Sequence, residues 1–359
     1  MTGAGSPEFW LLVSCCQWNF ANADEAPRPE IPSSIDWTRF VRLAQFHRVQ
    51  GLVWNALAQS ADRMPDDAGK ALSSDARGIA ATNLAIAREC SGLLDDFDRA
   101  GIALLFIKGL TVGALAYRSP LLKMGWDIDL LIDPRDLEAA ATLLHARGYA
   151  LHLPADGDRL RSWHARSKES VWQRDGSFYV ELHTGLADNR RMIPTIDVHS
   201  PSRMVEAASG VALPTLAEEE LFAYLTVHGA SSAWFRLKWI ADFGALTTGL
   251  GTEKLDRLYR RSQELGAGRA AGQALILADS LFDVLQPAPQ LSARVWSDFA
   301  TRMLYHAAMR MIAEGERDPT EKLLGTAAIH WTQFLLAPGL GYKCSELRRQ
   351  ASLLRRRLL

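Results

Sequence analysis

Two aspartates, Asp127 and Asp129, are the residues whose type and spacing most directly predict chemistry in this 359-residue chain. They stand at positions i and i+2 within a run of isoleucines and leucines, a pattern that is typical of a buried strand. Because alternate residues of a strand point to the same face, both carboxylates should leave the sheet on one side. Such a pair is suited to hold two divalent cations for in-line phosphoryl transfer.

The Asp-x-Asp spacing has little weight by itself, since 41 acidic residues make about five chance pairs of acids at this spacing. Other pairs of this kind lie in predicted helices or loops, where carboxylates are readily hydrated. A carboxylate inside an apolar strand is costly unless it binds something. The strand around Asp127 and Asp129 is therefore what distinguishes them.

Two further segments add chemistry to this pair. Glu181 lies in the run 177–183, which predicts another strand, with a solvent-facing position on an edge strand as the alternative. Lys108 and Gly109 end the apolar run 102–107 and precede a predicted helix. A glycine there would let the backbone approach a phosphate, while the helix N-terminus would offer free N–H groups. A plain turn is the alternative for these two residues taken alone.

Three more candidates lie in a long segment, 218–250, that is predicted to be helical. His228 and Lys238 are ten residues apart, close to a whole number of turns, so they should share one side of a helix. Lys238 and Asp242 are four residues apart and, in the alternative interpretation, simply form an ion pair on a solvated surface.

The apolar periodicity predicts an α+β protein in which a small α/β core is embedded between two helical regions. The predicted strands are 102–107, 127–133 and 177–183, and the longest predicted helices are 75–100 and 218–250. The expected divisions are an N-terminal helical region (10–99), the α/β core (100–213) and a C-terminal helical domain (214–359). Residues 1–9 read like translated cloning sites and are left out of the prediction of the fold.

Taken in order, these segments resemble the polymerase-β-like nucleotidyltransferases, in which a Gly-containing turn precedes two strand carboxylates and a later strand supplies a third. More closely, the chain is similar over nearly its whole length to a bacterial family of uncharacterised nucleotidyltransferases. The matching positions are Lys108-Gly109, Tyr117, Lys123, Asp127-Ile128-Asp129-Leu130-Leu131, Gly148-Tyr149, Glu181-Leu182-His183, Val227-His228-Gly229-Ala230 and the segment 236–242, with Leu43-Ala44 and His47 nearer the start. The chain departs from the pattern at Leu110-Thr111, where the superfamily often has Ser, and at Lys123, where the family usually has Arg.

The resemblance implies a metal-dependent enzyme that transfers an NMP group from an NTP to an acceptor and releases pyrophosphate. It assigns Asp127, Asp129 and Glu181 both to catalysis and to the binding of Mg²⁺, with Mn²⁺ as a substitute. ATP is the first candidate nucleotide. The residues implied to bind it are Lys108, Gly109, Lys123, His228, Lys238 and Asp242.

The implied acceptor is a hydroxyl or similar group on a small molecule, a peptide or a protein. Forty Lys and Arg against 41 Asp and Glu give a net charge of −1, which disfavours a nucleic-acid partner. Members of the similar family are often associated with gene clusters for peptide natural products, which makes a modified peptide or its carrier a candidate.

Two alternative functions remain open at this point. One is a non-catalytic nucleotide-binding or scaffold protein. The other is an RNA nucleotidyltransferase acting on tRNA ends, which would need a basic groove from 155–175 to the Arg-rich C-terminus.

The remaining features predict a cytoplasmic protein without a membrane partner. Four cysteines show neither a CxxC pair nor a Cys/His zinc spacing, so reduced thiols are expected. No apolar run reaches the roughly 18 residues that a membrane span needs.

Overall fold

The computed structural model describes residues 5–21, 28–154, 160–176, 178–321 and 325–358, with side chains up to residue 352. A five-stranded mixed sheet forms the centre of the α/β core. Its strands are β1 (Leu105–Phe106), β2 (Asp127–Leu131), β3 (Ala150–Leu153), β4 (Glu169–Arg174) and β5 (Phe178–His183). They lie in the order β1-β2-β5-β4-β3, with β2 and β5 parallel and the other neighbours antiparallel. A separate antiparallel hairpin consists of β6 (Ser202–Ala208) and β7 (Val211–Leu216).

Helices surround the sheet and precede and follow it along the chain, which confirms the α+β class. They are α1 (Pro7–Trp18), α2 (Trp37–His47), α3 (Gln50–Leu57), α4 (Asp66–Arg99), α5 (Leu110–Ala116), α6 (Leu137–Ala146), α7 (Leu160–His164), α8 (Glu218–Ser231), α9 (Leu237–Thr247), α10 (Thr252–Glu264), α11 (Gly268–Phe282), α12 (Pro289–Ser297), α13 (Phe299–Glu314), α14 (Ala327–Gln333) and α15 (Leu340–Leu358). Within the described ranges, no helix is both long enough and apolar enough to cross a membrane.

The two central strands separate an apolar face from a charged one. Ile128 and Leu130 of β2 and Leu182 of β5 are buried in a core that they share with α4 and α6. Their neighbours in sequence must point the opposite way, because strand side chains alternate. The parallel register sets Asp129 directly opposite Glu181. The two predicted carboxylate strands are therefore adjacent, and their acids leave the same face.

The N-terminal and C-terminal helical regions share one hydrophobic core. The residues of this core come from α1–α4 on one side and from α8–α13 on the other. Phe20, just after α1, packs edge-on against Phe282 of α11 with ring centroids 5.1 Å apart. The helices on the two sides of the α/β core in sequence thus form a common scaffold behind it.

The segment that reads like translated cloning sites takes part in the fold from Pro7 onward. Helix α1 begins at Pro7, and Ser6 caps it by accepting a hydrogen bond from the backbone N–H of Phe9. Phe9 is buried, and Glu8 lies 3.0 Å from the guanidinium of Arg39.

The segment 218–250 is not one helix. Helix α8 ends at Ser231 and α9 begins at Leu237, with Ala233 and Trp234 between them in left-handed backbone conformations. The Trp234 ring packs against the bare Cα of Gly229, where an added Cβ would come within 2.3 Å of it. The apolar periodicity did not reveal this break because the turn itself is buried.

Strand prediction was correct for the two functional strands and incomplete elsewhere. Of the apolar run 102–107, only Leu105 and Phe106 pair as β1. The polar segment 156–175, for which no strand was predicted, contains α7 and β4, while residues 155–159 lie outside the described residues. The predicted helix at 75–100 begins earlier, at Asp66, directly after Pro65.

Candidate active site

A cleft of about 250 Å³ lies between the charged face of the sheet and helices α8 and α9. The structure brings all nine sequence-predicted site residues to its walls: Lys108, Gly109, Lys123, Asp127, Asp129, Glu181, His228, Lys238 and Asp242. The cleft is also lined by Trp239 and by three charged residues that the sequence did not single out: Arg48, Lys168 and Glu169.

The floor of the cleft is a buried charge cluster centred on Asp129. One Asp129 carboxylate oxygen lies 2.7 Å from the Lys108 ammonium and 3.1 Å from His183 Nε2. Glu181 Oε2 lies 3.7 Å from the same ammonium and 3.5 Å from the same imidazole nitrogen. Lys108 and His183 thus bridge the two carboxylates that the strand register sets side by side.

The neighbouring charges and the burial of Asp129 and Glu181 shift the pKa values of the two carboxyl groups in opposite directions. Burial opposes ionisation of Asp129, but the Lys108 ammonium and the hydrogen bond from His183 outweigh it and hold the pKa of this carboxyl well below its ordinary value. Burial, together with the negative charge of Asp129, raises the pKa of the neighbouring Glu181 carboxyl. Asp129 is therefore the more readily ionised of the two acids.

Asp127 has a different environment from Asp129, although both are on β2 and line the cleft. Its carboxylate makes neither a salt bridge nor a hydrogen bond with any residue in the described part of the chain. A carboxylate that faces a cleft without a partner is available to bind a cation.

The acidic residues fit a divalent metal site. One ligand atom from each of Asp129, Glu181 and His183 can be chosen so that all three lie within 4.8 Å of one another. Asp127 adds an unpaired carboxylate on the same face of the sheet. Carboxylate oxygens are the ligands that Mg²⁺ prefers, so Asp127, Asp129 and Glu181 suit this ion.

Gly109 connects β1 to α5 at the edge of this cluster. Its φ of 68° is in the region that favours glycine, and a Cβ there would lie 3.7 Å from the backbone oxygen of Asp127. The turn therefore sets Lys108 and the Asp127 backbone side by side without an intervening side chain.

Helices α8 and α9, which form the helical wall of the cleft, carry a second set of charges. Asp242 of α9 accepts a hydrogen bond of 2.8 Å from the Tyr117 hydroxyl and lies 3.2 Å from the Lys123 ammonium. Asp242 is 5% exposed, so it is not half of a solvated surface pair with Lys238, and that alternative is wrong. Asp242 instead ties α9 to the loop that leads into β2.

His228 and Lys238 reach the cleft from two helices, not from one side of a single helix as predicted. His228 is on α8 and packs edge-on against Trp239 of α9, with ring centroids 5.7 Å apart. Burial and the positive charges of Lys108 and Lys168 lower the pKa of His228 well below its ordinary value. The ring is therefore neutral in the free protein.

Sequence reasoning did not assign a role in the site to three residues at the floor of the cleft: Glu169, Lys168 and His183. Glu169 and Lys168 were missed because the strand that begins at Glu169 was not predicted. Glu169 of β4 lies opposite His183 in the strand register, and its carboxylate is 3.3 Å from His183 Nδ1. Lys168 lies 3.0 Å from the same carboxylate. Val171 and Trp172, whose residue types are favoured in strands, are the sequence signal that could have revealed the strand.

The comparison with known protein families agrees with this geometry. A family model described as uncharacterised nucleotidyltransferase matches residues 33–283. That range includes both carboxylate strands, the turn at Gly109 and the two helices of the cleft wall. A search of curated proteins found no match.

Proposed function

The chain belongs to the family of uncharacterised nucleotidyltransferases, and from this premise we propose that it transfers an NMP group from an NTP to an acceptor hydroxyl with release of pyrophosphate. The acceptor oxygen forms a bond to the α-phosphorus, and the bond from that phosphorus to the β-phosphate oxygen breaks. The electron pair leaves with pyrophosphate, and the hydroxyl proton goes to a carboxylate of the site. ATP is the first candidate among the nucleotides.

Asp127, Asp129 and Glu181 would hold Mg²⁺, or Mn²⁺ in its place. When bound, the ion neutralises the charge that develops on the phosphate oxygens and orients them for in-line displacement. Glu181 lies on the second strand of the pair and accepts the proton of the acceptor hydroxyl. The strand pairing keeps these oxygens fixed relative to one another, which suits a reaction that depends on positioning.

The phosphates would lie between the Gly109 turn and the helical wall. Gly109 lets the backbone approach them, while Lys108, Lys123 and Lys238 contribute positive charge from three sides of the cleft. His228 and Asp242 complete this wall, the latter by fixing Lys123 and Tyr117.

One observation carries the proposal: acids from two parallel neighbouring strands face the same cleft as several cationic side chains. The experiment is to incubate the protein with each of the four NTPs and Mg²⁺, with and without cell extract as a source of acceptor, and to measure pyrophosphate. Release that requires both an NTP and extract is the expected result. No release under any of these conditions from folded protein would contradict the proposal.

One observation favours a non-catalytic nucleotide-binding protein as the second candidate. The Lys108 ammonium lies 2.7 Å from Asp129, where it already neutralises the carboxylate that a metal ion would use. In that case Mn²⁺ would not bind at the cleft even with nucleotide present, which electron paramagnetic resonance of Mn²⁺ would show directly.

The acceptor is proposed to be a small molecule, a peptide or a protein, including a modified peptide or its carrier, because the net charge of −1 gives no excess of cations for nucleic acid. The RNA alternative depends on a basic groove that begins at 155–175 and ends at the Arg-rich C-terminus. Residues 155–159 and the side chains of Arg355, Arg356 and Arg357 lie outside the described residues. Adding tRNA to the pyrophosphate assay in place of extract separates the two classes of acceptor.

A further inference from the structure

The cationic residues of the cleft differ in whether a carboxylate neutralises them. Five cations line the cleft: Arg48, Lys108, Lys123, Lys168 and Lys238. Three of them lie close to a carboxylate oxygen: Lys108 at 2.7 Å from Asp129, Lys123 at 3.2 Å from Asp242 and Lys168 at 3.0 Å from Glu169. Arg48 and Lys238 form no salt bridge or side-chain hydrogen bond with any of the described residues.

Arg48 occupies a backbone position that does not suit arginine. It follows the last residue of α2 with φ 57° and ψ 45°, the left-handed conformation in which helices usually end on glycine. Its backbone N–H donates to the Gln45 carbonyl and the next N–H, of Val49, donates to the Ala44 carbonyl, and glycine at position 48 would leave both bonds in place. The helix end therefore does not require an arginine at this position, while the cleft receives a guanidinium.

The two cations also disfavour each other in the free protein. Burial and the positive charge of Arg236 lower the pKa of the Arg48 guanidinium. Burial and the charges of Lys123 and Arg48 outweigh the opposing charges of Asp127 and Asp242 and lower the pKa of Lys238 to about 7. A polyanion between Arg48 and Lys238 would remove this repulsion and restore the solvation that burial takes away.

We propose that Arg48 and Lys238 form the subsite for the terminal phosphates of the nucleotide, the part that leaves as pyrophosphate. The guanidinium fork matches pairs of phosphate oxygens, and the ammonium adds a compact charge opposite it. This inference rests on the proposed function and extends it. It makes the N-terminal helical region part of the nucleotide site, since Arg48 joins α2 to α3.

The test is a titration of wild type and Arg48→Gly with inorganic pyrophosphate, ATP and AMP, each in the presence of Mg²⁺. Loss of a charge-assisted hydrogen bond should weaken pyrophosphate and ATP binding about tenfold or more. AMP lacks the terminal phosphates, so its affinity should change less than about twofold. The melting temperature should stay the same or rise, because glycine adopts the left-handed conformation without strain.

Two controls separate the side chain from the backbone change and from net charge. Asp283→Gly alters an exposed helix end with φ 57° at the terminus of α11 and should leave all three affinities unchanged. Arg310→Gln removes a cation that is 80% exposed and pairs with Glu314 on α13. Arg48→Gln repeats the main test with a longer side chain in place.

The outcomes are distinct. Unchanged pyrophosphate and ATP affinities in Arg48→Gly and Arg48→Gln would overturn the subsite and leave the proposed function intact. An equal loss for AMP would also overturn it, because Arg48 would then act on the nucleoside end or on the fold. If the Arg48 variants selectively lost pyrophosphate affinity but wild type never released pyrophosphate from any NTP, the subsite would be supported and the proposed transfer contradicted. Wild type that binds none of the three ligands would contradict both.

Discussion

Two clusters of charged side chains pack against the same sheet, and they differ in how completely their groups are paired. In the first, Glu89 of α4 accepts hydrogen bonds of 2.7–3.2 Å from Arg147, Arg174 and Tyr149. Arg147 also pairs with Asp96, and the Arg174 guanidinium stacks 4.8 Å from the centre of the Tyr149 ring. We call this set the Glu89 cluster, and both oxygens of its central carboxylate are used.

The cleft has a similar mixture of acids and bases but is not paired in this way. Asp127, Arg48 and Lys238 have no salt bridge or side-chain hydrogen bond within the described ranges. A buried or half-buried charge without a partner loses hydration and gains nothing in return. Complete pairing is thus expected where charges stabilise the fold, and incomplete pairing where a ligand completes the set.

The largest effect is expected from Asp127→Asn. Pyrophosphate release should fall by about 10²–10³-fold or more, because a neutral amide cannot supply the charge that holds a divalent cation against the phosphates. The melting temperature should change little, since Asp127 has no salt bridge or hydrogen bond among the described residues to lose, and the loss of its repulsion with Asp129 offsets the loss of its attraction to Lys108, Arg48 and Lys238. Initial rates and thermal melting measure the two effects.

A comparison with Asp129→Asn sharpens this result. Asp129 pairs with Lys108 and His183, so its amide variant should lose both activity and melting temperature. Asp62→Asn, at an exposed position, is the control for a lost charge. If Asp127→Asn kept most of its pyrophosphate release, Asp127 would not belong to the reaction site.

The next-largest effect is expected in the Glu89 cluster, where a substitution should lower stability and leave activity unchanged. Glu89→Gln removes the carboxylate that Arg147 and Arg174 share, although Arg147 keeps Asp96, and it should lower the free energy of unfolding by about 3 kcal/mol. The rate per folded molecule should not change, because the cluster does not line the cleft. Urea unfolding and assays at low temperature check both statements.

Glu138→Gln is the matched control for the Glu89 variant. The Glu138 side chain is 58% exposed and lies 3.7 Å from Arg161, so its loss should cost less than about 0.5 kcal/mol. A drop in the rate per folded molecule of Glu89→Gln would mean that the two clusters are coupled through the sheet.

Binding of Mg²⁺ with ATP should add similar stability to wild type and to Glu89→Gln. At a hundredfold excess over Kd, a ligand that binds only the native state adds about 2.7 kcal/mol. Asp127→Asn should gain less, because the metal contributes to nucleotide binding. Thermal melting of the three proteins with and without ligand measures the gain, and an equal gain in all three would remove Asp127 from the ligand site.

The strand carboxylates could be predicted from sequence because their signal is local. Asp127 and Asp129 interrupt an apolar run at a two-residue spacing, and the pleat alone determines that they share a face. The same argument did not reach Glu169, because its strand alternates small and large residues within a polar segment. The strand register that places Glu169 opposite His183 pairs two separate segments of the chain, and no local sequence pattern predicts it.

The helical wall depends on long-range packing, and the sequence was a poorer guide to it. Tyr117 and Asp242 are 125 residues apart, and their hydrogen bond follows from the docking of α5 against α9. Arg48 enters the cleft only because α2 ends in a left-handed residue, where the sequence has no glycine to mark the end. The break between α8 and α9 contains neither glycine nor proline, so the apolar periodicity predicted one continuous helical segment there.

The smallest effect tests whether the unpaired cations of the cleft really destabilise the free protein. The pKa of Lys238 falls from an ordinary value of 10.5 to about 7, because burial, Lys123 and Arg48 disfavour its charged form. Between these two values the unfolded chain binds more protons than the folded one, so stability rises with pH. Below pH 7 both states are charged, and the full penalty is present.

Lys238→Met removes the titrating group and should remove this slope. Relative to that variant, wild type should gain about 2 kcal/mol of unfolding free energy between pH 7 and pH 9, measured by urea titration at each pH. Lys70→Met, which removes a 77% exposed ammonium, should follow the wild-type curve. Parallel curves for wild type and Lys238→Met would show that the Lys238 charge is already compensated. The cleft would then resemble the Glu89 cluster, and its free cations would no longer indicate a place for phosphates.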